Sequence, residues 1–376
     1  MTAMTAPLSV PVSLALVGAG HTHLAVIANA SRLRAAGVDP FLIAPAGFDY
    51  SGLASGVLSG AMPAESTRID IAGLARKHGV PHTVAQVTGV DRQARTLTLG
   101  DGSRAAYDAV SFNIGSSVED PDAWASLEGV WPVKPLSSLF SLRQALEKDL
   151  AVGTRSPAVV IAGDGPTGFE IAAALTGLHE RRERSVNLTL TGPTANAHWA
   201  PGSAGRSLTR NLDRRGVKRI AARVVGHGGR RITLSDGQSI ACDHLVLATG
   251  LRASRLTDQL DLPLDDLGRI KVAPILCSVG DDRVFAAGDC ATIKGSPRPF
   301  AGVFGVRAAE VLIDNLCALG TGSKPRPYRP QSRWLSIMDL GDGTGLAMRG
   351  DLWWQGRLAL ALKRRLDIGF VERHRA

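Results

Sequence analysis

The first part of the chain shows a short apolar run, a glycine-containing turn and then apolar residues at helical spacing. Residues 14–17 (LALV) have the length of a buried parallel strand. A second apolar run, residues 40–44 (PFLIA), follows the helical segment, whose apolar positions are Leu24, Ile27, Ala28 and Leu33. This order predicts a βαβ unit of about thirty residues.

Between residues 84 and 110 the pattern changes to short alternating runs, which are typical of antiparallel strands. These runs are TVAQVTGVDR, RTLTLGDG and AYDAVSFNIG, with a D-G turn predicted at Asp101 and Gly102. The same style returns in RRITLSDGQSI and CDHLVLATG, where Asp236 and Gly237 form the predicted turn. The alternation therefore predicts one hairpin in each half of the chain.

The two halves together form an internal repeat of about 140 residues. The second copy opens with a predicted strand at residues 159–162, a helix at 167–175 and a strand at 186–190. Each copy runs glycine turn, helix, strand, hairpin, apolar strand and a small-residue end, which reads NIGS in the first and ATG in the second. A strand-like segment, RVFAAGDCAT, and a predicted helix at residues 303–319 follow.

Composition places the chain among ordinary globular proteins. It has 376 residues, 44% of them hydrophobic and 20% charged, which suits two domains and a short appendage. The net charge of +9 would attract anionic cofactors, anionic lipid head groups or nucleic acid, or reflect only a solvated basic surface. Aromatic residues make up 5% of the chain, and no nucleic-acid motif accompanies the charge, so no nucleic-acid partner is expected.

The cysteines and the first residues of the chain argue against several further classes of protein. The four cysteines, at 242, 277, 290 and 317, form no C-x-x-C or C-x4-C pair, so neither a disulfide framework nor a metal site is expected. Residues 1–11 have no basic region and no long apolar core, so no signal peptide is expected. No apolar run approaches the length of a membrane-spanning helix. A cytoplasmic location follows as the expectation.

The first glycine turn has the spacing Gly18-x-Gly20-x-x-His23 between a predicted strand and a predicted helix. Glycines there let backbone amides approach a pyrophosphate that rests on the helix N-terminus. The third position is His23 where Gly or Ala is usual, and the second strand ends in Ile43-Ala44-Pro45 without an acidic residue. Taken alone, this turn is also compatible with an ordinary loop.

The second turn, Gly163-x-Gly165-x-x-Gly168, is complete and correctly placed between a strand and a helix. Its second strand ends in Leu190-Thr191-Gly192, again without an acid. An acid at that position favours NADH, whereas its absence with arginines nearby permits a 2′-phosphate. Arg206 and Arg210 are candidate phosphate partners, and the alternative is that they are surface arginines on a helix.

A third motif, AAGDCA, follows the apolar strand residues Val284 and Phe285. Asp289 at the strand end, beside Gly288, can accept hydrogen bonds from a polyhydroxyl chain. Its alternative role is to cap the N-terminus of a helix. Together with two glycine turns, the binding role is favoured.

The trio GAGHTH, GDGPTGFE and AAGDCA, with NIGS and ATG between them, resembles the pyridine nucleotide-disulfide oxidoreductase superfamily over residues 12–320. Within it the chain is similar to the branch of type II NADH dehydrogenases and sulfide:quinone reductases. It is most similar to the flavoprotein module fused to some selenide, water dikinases. That similarity rests on GxGHxH, Tyr50-Ser51-Gly52, Val133-Lys134-Pro135 and the late PRPYRP.

The resemblance implies an α/β fold with two Rossmann-like dinucleotide-binding domains of the three-layer ββα type. An FAD-binding domain over residues 10–125 and 249–328 would contain an inserted NAD(P)H-binding domain over 126–248. A C-terminal extension over 329–376 would follow.

The resemblance also implies roles for individual residues. FAD would be held by Gly18, Gly20 and Asp289, and NAD(P)H by Gly163, Gly165 and Gly168. Further cofactor contacts are expected at His21, Gly250 and Gly288. Glu170 matches a glutamate near the nicotinamide and flavin of type II dehydrogenases, and Lys134 is the second candidate catalytic group.

The sequence lacks several residues that other members of the superfamily use, and this limits the functions to be expected. Thiol–disulfide chemistry needs a cysteine pair, which is missing, and Cys290 belongs to the FAD-binding signature, so sulfide oxidation fits poorly. The glutamines of the quinone-contact segment are missing from residues 299–307. We expect an FAD-dependent NAD(P)H dehydrogenase that passes electrons to a quinone or another small acceptor. The alternatives are a reductase of a selenium or sulfur compound or of a protein partner, and a redox sensor with little turnover.

The tail, residues 351–370, has the pattern of a basic amphipathic helix. Leu358, Leu362 and Leu366 share one helical face, with Trp353 and Trp354 ahead and residues 363–365 (KRR) across. Such a helix can lie on an anionic membrane surface, which would suit a lipid quinone and the inner face of the cell membrane. Packing on the protein itself or on a partner subunit, as in a homodimer, is the competing interpretation.

Overall fold

The structure is a computed structural model that describes residues 10–119, 124–152, 155–182 and 185–375. The first nine residues, part of the segment considered for a signal peptide, lie outside the described residues. The predicted fold class is confirmed: the chain is a mixed α/β protein with a large, centrally parallel sheet and a second dinucleotide-binding-type sheet.

Eight of the described strands form the larger sheet, which is parallel at its centre. The central strands are largely buried on both faces, which explains the continuous apolar runs in the sequence. In spatial order they are β23 (Ala291–Ile293), β20 (Ile270–Val272), β21 (Cys277–Ser278), β22 (Asp281–Ala286), β9 (Ala109–Phe112), β1 (Val12–Val17), β2 (Val38–Ala44) and β5 (His82–Val84).

The smaller sheet is entirely parallel and is formed by strands that lie in sequence between β9 and β20. In spatial order these are β11 (Val130–Pro132), β18 (His244–Leu247), β12 (Ala158–Ala162), β13 (Asn187–Thr191) and β14 (Lys218–Ile220). The chain thus leaves the first sheet, builds the second, and returns. An antiparallel pair, β10 (Ser116–Val118) with β19 (Leu251–Ala253), joins the outgoing and returning segments. The proposed domain boundaries remain predictions.

Each half carries a three-stranded antiparallel sheet in the same place, which confirms the repeat. The first contains β6 (Val87–Asp91), β7 (Thr96–Leu99) and β8 (Arg104–Ala106), and the second contains β15 (Val224–Gly228), β16 (Arg231–Leu234) and β17 (Ser239–Ala241). Both contain a register irregularity at the start of the first strand, between Val87 and Gly89 and between Val224 and Gly226. A small antiparallel pair, β3 (Gly47–Asp49) with β4 (Arg68–Asp70), completes the first half.

The helices cover the sheets and carry the site between them. The described helices are α1 (His21–Ala28), α2 (Ala30–Ala35), α3 (Ala54–Leu58), α4 (Ile71–Lys77), α5 (Leu136–Val152), α6 (Pro166–Arg182), α7 (Gly202–Arg214), α8 (Gly302–Thr321) and α9 (Arg357–Arg373). None of them is at once long enough and apolar enough to cross a bilayer. Each sheet has its own buried core, the first around Leu16 and Phe112 and the second around Ile161 and Phe169.

Two strand predictions were wrong for the same reason. The run CDHLVLATG was assigned to antiparallel strands, but β18 pairs in parallel with β11 and β12 and all four of its residues are buried. The run AYDAVSFNIG was assigned to an antiparallel hairpin, but β9 pairs in parallel with β1 and β22 at the middle of the larger sheet. All four residues of β9 are buried, so the strand lacks the alternation that marks a strand with one solvated face. The antiparallel hairpin ends with β8, two residues earlier.

The prediction for the tail was also wrong in part. Instead of one helix over 351–370, an antiparallel sheet of β24 (Ser336–Asp339), β25 (Gly345–Arg349) and β26 (Leu352–Gly356) precedes α9. Trp353 and Trp354 alternate across β26: the Trp353 indole donates to the Ser203 hydroxyl (2.8 Å), whereas Trp354 is exposed. The two tryptophans favour a strand here, because aromatic side chains fit a pleated, half-buried surface.

Candidate functional site

The first glycine turn joins β1 to α1 and lies against the end of β9. Gly18 adopts a φ of +81°, and a side chain there would approach the carbonyl oxygen of Asn113 at 2.7 Å. Only glycine therefore fits both the backbone conformation and the close contact. The amides of Ala19 and His21 have no hydrogen-bond partner within the described part of the chain. Such amides at the start of a helix are suited to a phosphate group.

Asn113 organises this turn, and its role was not foreseen. Its side-chain oxygen accepts the amides of Thr22 and His23 (both 3.1 Å), and its side-chain nitrogen donates to the Ala287 carbonyl (2.7 Å). Asn113 thereby joins the first glycine turn to the strand end that carries Asp289. The signal in the sequence was a polar residue directly after a buried strand, in the segment NIGS.

His23 explains why the first motif lacks its third glycine. The side chain is buried between the turn and the larger sheet, with Nδ1 2.6 Å from the Gly18 carbonyl and Nε2 2.8 Å from the Ser111 hydroxyl. Since a carbonyl only accepts, Nδ1 must carry the proton and Nε2 must accept from Ser111. Burial lowers the pKa of His23 to about 4, so the ring is neutral at physiological pH.

Two contiguous cavities begin at this turn. A cleft of about 360 Å³ is lined by the turn, by the ends of β1 and β2 and by Gln86 and Val87. A larger cavity of about 510 Å³ shares Gly20 and Asn113 with it and extends to the second sheet. Six of the predicted site residues line this larger cavity: Gly20, His21, Lys134, Glu170, Gly288 and Asp289. Two cavities that share lining residues offer room for a large cofactor.

Asp289 and Lys134 meet at the floor of the larger cavity. Lys134 Nζ lies 2.8 Å from Asp289 Oδ2, and the Ser116 hydroxyl donates to the same oxygen at 2.7 Å. Burial opposes ionisation of Asp289, but the Lys134 ammonium and these hydrogen bonds prevail and hold the pKa of Asp289 below its usual value. The site therefore contains an ionised carboxylate balanced by one ammonium.

His21 stands at the N-terminus of α1 within a group of aromatic rings. Its ring centroid lies 5.3 Å from that of Phe48, 5.4 Å from that of Tyr50 and 5.4 Å from that of Phe370 in α9. Burial, partly offset by the Asp289 carboxylate, lowers the pKa of His21 to about 4. A neutral imidazole at this point leaves the helix N-terminus as the positive element of the cradle.

The second glycine turn joins β12 to α6. Gly163 has a φ of +128°, and a side chain there would overlap the Ala248 carbonyl, whereas the space at Gly165 is open. This matches the roles of tight turn and close ligand approach that the motif requires. Gly168 packs against Gly163 in the same turn. Gly250 precedes Leu251, which lines the larger cavity, and its carbonyl accepts the Glu119 amide at 3.0 Å.

Glu170 lies one turn into α6 and lines the larger cavity, as Asp289 does. Its Oε1 accepts the Asp339 amide at 3.2 Å, and Ser55 also hydrogen-bonds the carboxylate. Burial raises the pKa of Glu170 above its usual value, although the Lys363 ammonium acts in the opposite direction. Glu170 can therefore hold a proton at a pH at which an exposed glutamate has lost it.

Lys363 in the tail helix is directed into the protein and not to the solvent. It was assigned to the solvated basic face of the tail helix, yet its side chain is only 11% exposed. Nζ donates to the Gly52 carbonyl (2.5 Å) and to Asp367 Oδ2 (2.9 Å), and Asp367 Oδ1 accepts the Tyr50 hydroxyl (2.9 Å). Burial opposes its charge, but the Glu170 and Asp367 carboxylates raise the pKa of Lys363 above its usual value. Helix α9 thus brings a cation beside Glu170.

The cysteines do not line either of these cavities. Cys290 is buried beneath the Asp289 turn, where its thiol contacts the Phe112 carbonyl at 3.4 Å. Burial raises the pKa of the thiols of Cys277 and Cys290 to about 11 and that of Cys242 to about 12. These thiols are therefore neutral and unreactive at physiological pH.

The comparison with known protein families decides the assignment of the fold. The model of the family described as pyridine nucleotide-disulphide oxidoreductase matches residues 12–307. The chain belongs to this family. As a pyridine nucleotide-disulphide oxidoreductase it is an oxidoreductase, and the predicted cofactors, FAD and NAD(P)H, are confirmed at the level of the family. The glycine turns, the Asp289 carboxylate and the contiguous cavities fit such a pair.

Relatives of this oxidoreductase include dehydrogenase-like proteins. It is 32% identical over 241 residues to the NADH dehydrogenase-like protein Rv1812c of Mycobacterium tuberculosis, covering 60% of this chain and 59% of that relative. It is 25% identical over 313 residues to the type II NADH:quinone oxidoreductase Ndh of the same organism, covering 74% and 66%. The matched segment thus spans about three fifths of the length of the more similar relative.

A solved structure shares the fold over almost the whole chain. The sulfide:quinone oxidoreductase of Aquifex aeolicus superimposes with a TM-score of 0.80 at 15% identity, covering 96% of this chain and 91% of that one. At this identity the likeness concerns the fold alone. The resemblance to the module fused to selenide, water dikinases and the roles of individual residues stay predictions.

Proposed function

We propose that this chain is an FAD-dependent NAD(P)H dehydrogenase that delivers electrons to a quinone or another small acceptor. The observation that carries the proposal is the larger cavity, which is lined by the first glycine turn, the Asp289 turn and the Glu170 helix. One cavity shared by both dinucleotide-binding units is what hydride transfer between two bound carriers requires.

The residues divide between the two carriers. Gly18, Gly20 and the amides of Ala19 and His21 would hold the diphosphate of FAD, and Asp289 would accept hydrogen bonds from its polyhydroxyl chain. When bound, FAD supplies hydride acceptance and stepwise electron release. Lys134, fixed by Asp289, would offset negative charge at the same place. Gly163, Gly165 and Gly168 would hold the diphosphate of the nicotinamide nucleotide.

Glu170 would serve as the proton reservoir for the acceptor. Reduction of a quinone takes up two electrons and two protons, whereas the nucleotide provides a hydride, so one further proton must arrive from the protein or from water. Burial raises the pKa of Glu170 and favours its protonated form, and Lys363 stands ready to offset the charge that remains after proton release. Glu170 and Lys363 would thus provide polar groups for the acceptor, whereas residues 299–307 contain no glutamine that could do so.

The tail offers a surface for a lipid-soluble acceptor. Four large apolar side chains on β26 and α9 are strongly exposed: Leu352 (75%), Trp354 (42%), Leu358 (82%) and Leu366 (50%). Exposed arginines, Arg357 and Arg365, lie on the same helix. An apolar patch bordered by cations favours contact with an anionic membrane surface, so a peripheral position on the inner face of the cell membrane is part of the proposal. The homodimer stays a prediction.

The direct test is anaerobic re-oxidation. After NADH or NADPH has bleached the flavin absorbance, a short-chain ubiquinone added without oxygen should restore it within seconds. Restoration by a rubredoxin-like carrier or by a persulfide instead would favour reduction of a protein or a sulfur compound. Turnover below about one per minute with every acceptor would favour a redox sensor, because typical enzymes turn over about 1 to 1,000 times per second.

The membrane contact needs a separate assay. Co-sedimentation with vesicles of anionic phospholipid should retain the protein at low salt, and with vesicles of zwitterionic phospholipid it should not. Equal recovery with both kinds of vesicle, or with neither, would contradict the contact.

A further inference from the structure

The end of β13 lacks the acidic residue that usually holds the adenosine ribose in this type of fold. The strand ends at Thr191, and the next residue is Gly192. The reason lies in the neighbouring turn. A side chain at Gly192 would overlap the carboxyl carbon of Asp164 and lie 2.7 Å from its Oδ1. Asp164 is the residue between Gly163 and Gly165, and its carboxylate fills the space where a strand-end side chain would begin.

The loop after β13 is built around this carboxylate. Asp164 Oδ2 accepts the amide of Thr194 (2.9 Å), the hydroxyl of Thr194 (2.9 Å) and the amide of Ala195 (2.8 Å). The Asp164 carbonyl accepts the Trp199 indole at 3.0 Å. Oδ1, in contrast, accepts no hydrogen bond from the part of the chain that the structure describes. The carboxylate is thus fixed by one oxygen while the other retains its acceptor capacity.

Arg219 lies in the same region and is already paired with other groups. Arg219 donates from Nη1 to the Ala195 carbonyl (2.7 Å) and to Asn196 Oδ1 (2.8 Å). Its Nε lies 2.7 Å from Asp213 Oδ1, so a carboxylate already neutralises it. Arg219 is thus paired with Asp213 and with the loop after β13, and among the ion pairs of the described residues none joins it to Asp164.

We propose that Asp164 is the ribose-recognition carboxylate of the nucleotide site and makes the protein selective for NADH over NADPH. The inference rests on the proposed function, which supplies the nucleotide. A carboxylate can accept hydrogen bonds from the two ribose hydroxyls of NADH, whereas the 2′-phosphate of NADPH brings like charge against it. The acid absent from the end of the strand is thereby provided by the glycine turn.

The competing assignment gives a phosphate to Arg206 and Arg210. Both belong to α7, which follows the same loop. If they bind a 2′-phosphate, NADPH should be the better substrate. The two assignments thus predict opposite preferences.

The test uses the FAD-loaded protein and two binding probes, ADP-ribose and 2′-phospho-ADP-ribose, titrated by calorimetry. The wild type should bind ADP-ribose about 10- to 100-fold more tightly, the factor expected for hydrogen bonds to a charged group. Asp164→Asn should weaken ADP-ribose binding about tenfold and bring the ratio of the two affinities towards one. The ratio of kcat/KM for NADH and NADPH should move in parallel.

Thr194→Val is the matched control, because it removes a donor to Asp164 but keeps the carboxylate. It should change the affinities for both probes by a similar factor and leave their ratio near that of the wild type. Flavin content and circular dichroism establish that each variant is folded.

Equal binding of the two probes by the wild type, or preference for 2′-phospho-ADP-ribose, would overturn the assignment of Asp164. An Asp164→Asn variant with both affinities reduced equally would do so as well. In these cases the proposed function survives. Failure of the folded, flavin-loaded wild type to bind either probe would overturn the proposed function and the inference with it.

Discussion

Replacement of Lys363 by methionine tests whether α9 is part of the site or only a surface helix. The change keeps most of the aliphatic volume and removes the ammonium that lies 2.9 Å from Asp367 Oδ2. Both side chains are nearly buried, at 11% and 12% exposure, so the Asp367 carboxylate would remain without its cation inside the protein. Loss of one partner of a buried pair costs about 3 to 5 kcal/mol, against about 0 to 1 kcal/mol for an exposed pair.

We expect the lower end, about 3 kcal/mol, because Asp367 keeps the hydroxyl hydrogen bond of Tyr50. The assay is urea unfolding at neutral pH, followed by tryptophan and flavin fluorescence. Arg365→Met is the control, since Arg365 is exposed on the same helix, and it should alter the free energy of unfolding by no more than about 0.5 kcal/mol. The double variant Lys363→Met with Asp367→Asn should regain most of the loss, because residue 367 then carries no buried charge that has lost its partner.

The same variant should change the titration of Glu170. The Lys363 ammonium lowers the pKa of Glu170 against the larger effect of burial. Removal of the ammonium should therefore raise that pKa further and move the pH profile of acceptor reduction to higher pH. A Lys363→Met protein as stable as Arg365→Met, with an unchanged pH profile, would refute the assignment of Lys363 to the site.

Three further predictions concern other groups. Glu170→Gln should be more stable than the wild type well above the raised pKa of Glu170, and the two proteins should be equally stable at pH near 4. The reason is that a carboxyl whose pKa is raised by folding loses its contribution to stability as the pH rises through that pKa. The same difference in stability at every pH would contradict this. His23→Ala should weaken FAD binding by about 1 to 3 kcal/mol, because the Gly18 carbonyl and the Ser111 hydroxyl lose the ring to which both are hydrogen-bonded. Titration of the flavin-free protein with FAD measures the Kd, and an unchanged Kd would show that the ring is not needed. Leu358→Asp should reduce sedimentation with anionic vesicles while NADH oxidation with a water-soluble acceptor stays at the wild-type rate, and unchanged sedimentation would exclude the exposed tail surface as the contact.

Most of the fold followed from sequence because its signals are local and repeated. The two glycine turns, the D-G turns and the buried strands each occur twice, at corresponding places in the two halves. Gly102 and Gly237 have φ values of +83° and +84°, which is the conformation that makes a D-G pair diagnostic of a turn. The assignment of β9 was wrong because full burial removes the alternation on which strand assignment depends.

The site was predicted less completely, since its remaining residues come together only through long-range contacts. Asn113 and Ala287 are 174 positions apart, yet the Asn113 side chain joins the Ala287 carbonyl to the first glycine turn. Lys363 points inward because it contacts Asp367 and the Gly52 carbonyl, and a hydropathy pattern contains no information about such contacts. Similarly, the missing strand-end acid is visible in the sequence, but its replacement by Asp164 appears only when Gly192 and the glycine turn are seen together.

The most direct test of the central claim is an anaerobic titration of the purified protein with NADH, followed by the flavin absorbance. Two adjacent cradles in one chain predict a yellow protein with one FAD per chain, whose absorbance is bleached completely by one equivalent of nucleotide. A colourless protein that does not take up added FAD would contradict the account, as would a yellow protein that neither NADH nor NADPH can bleach.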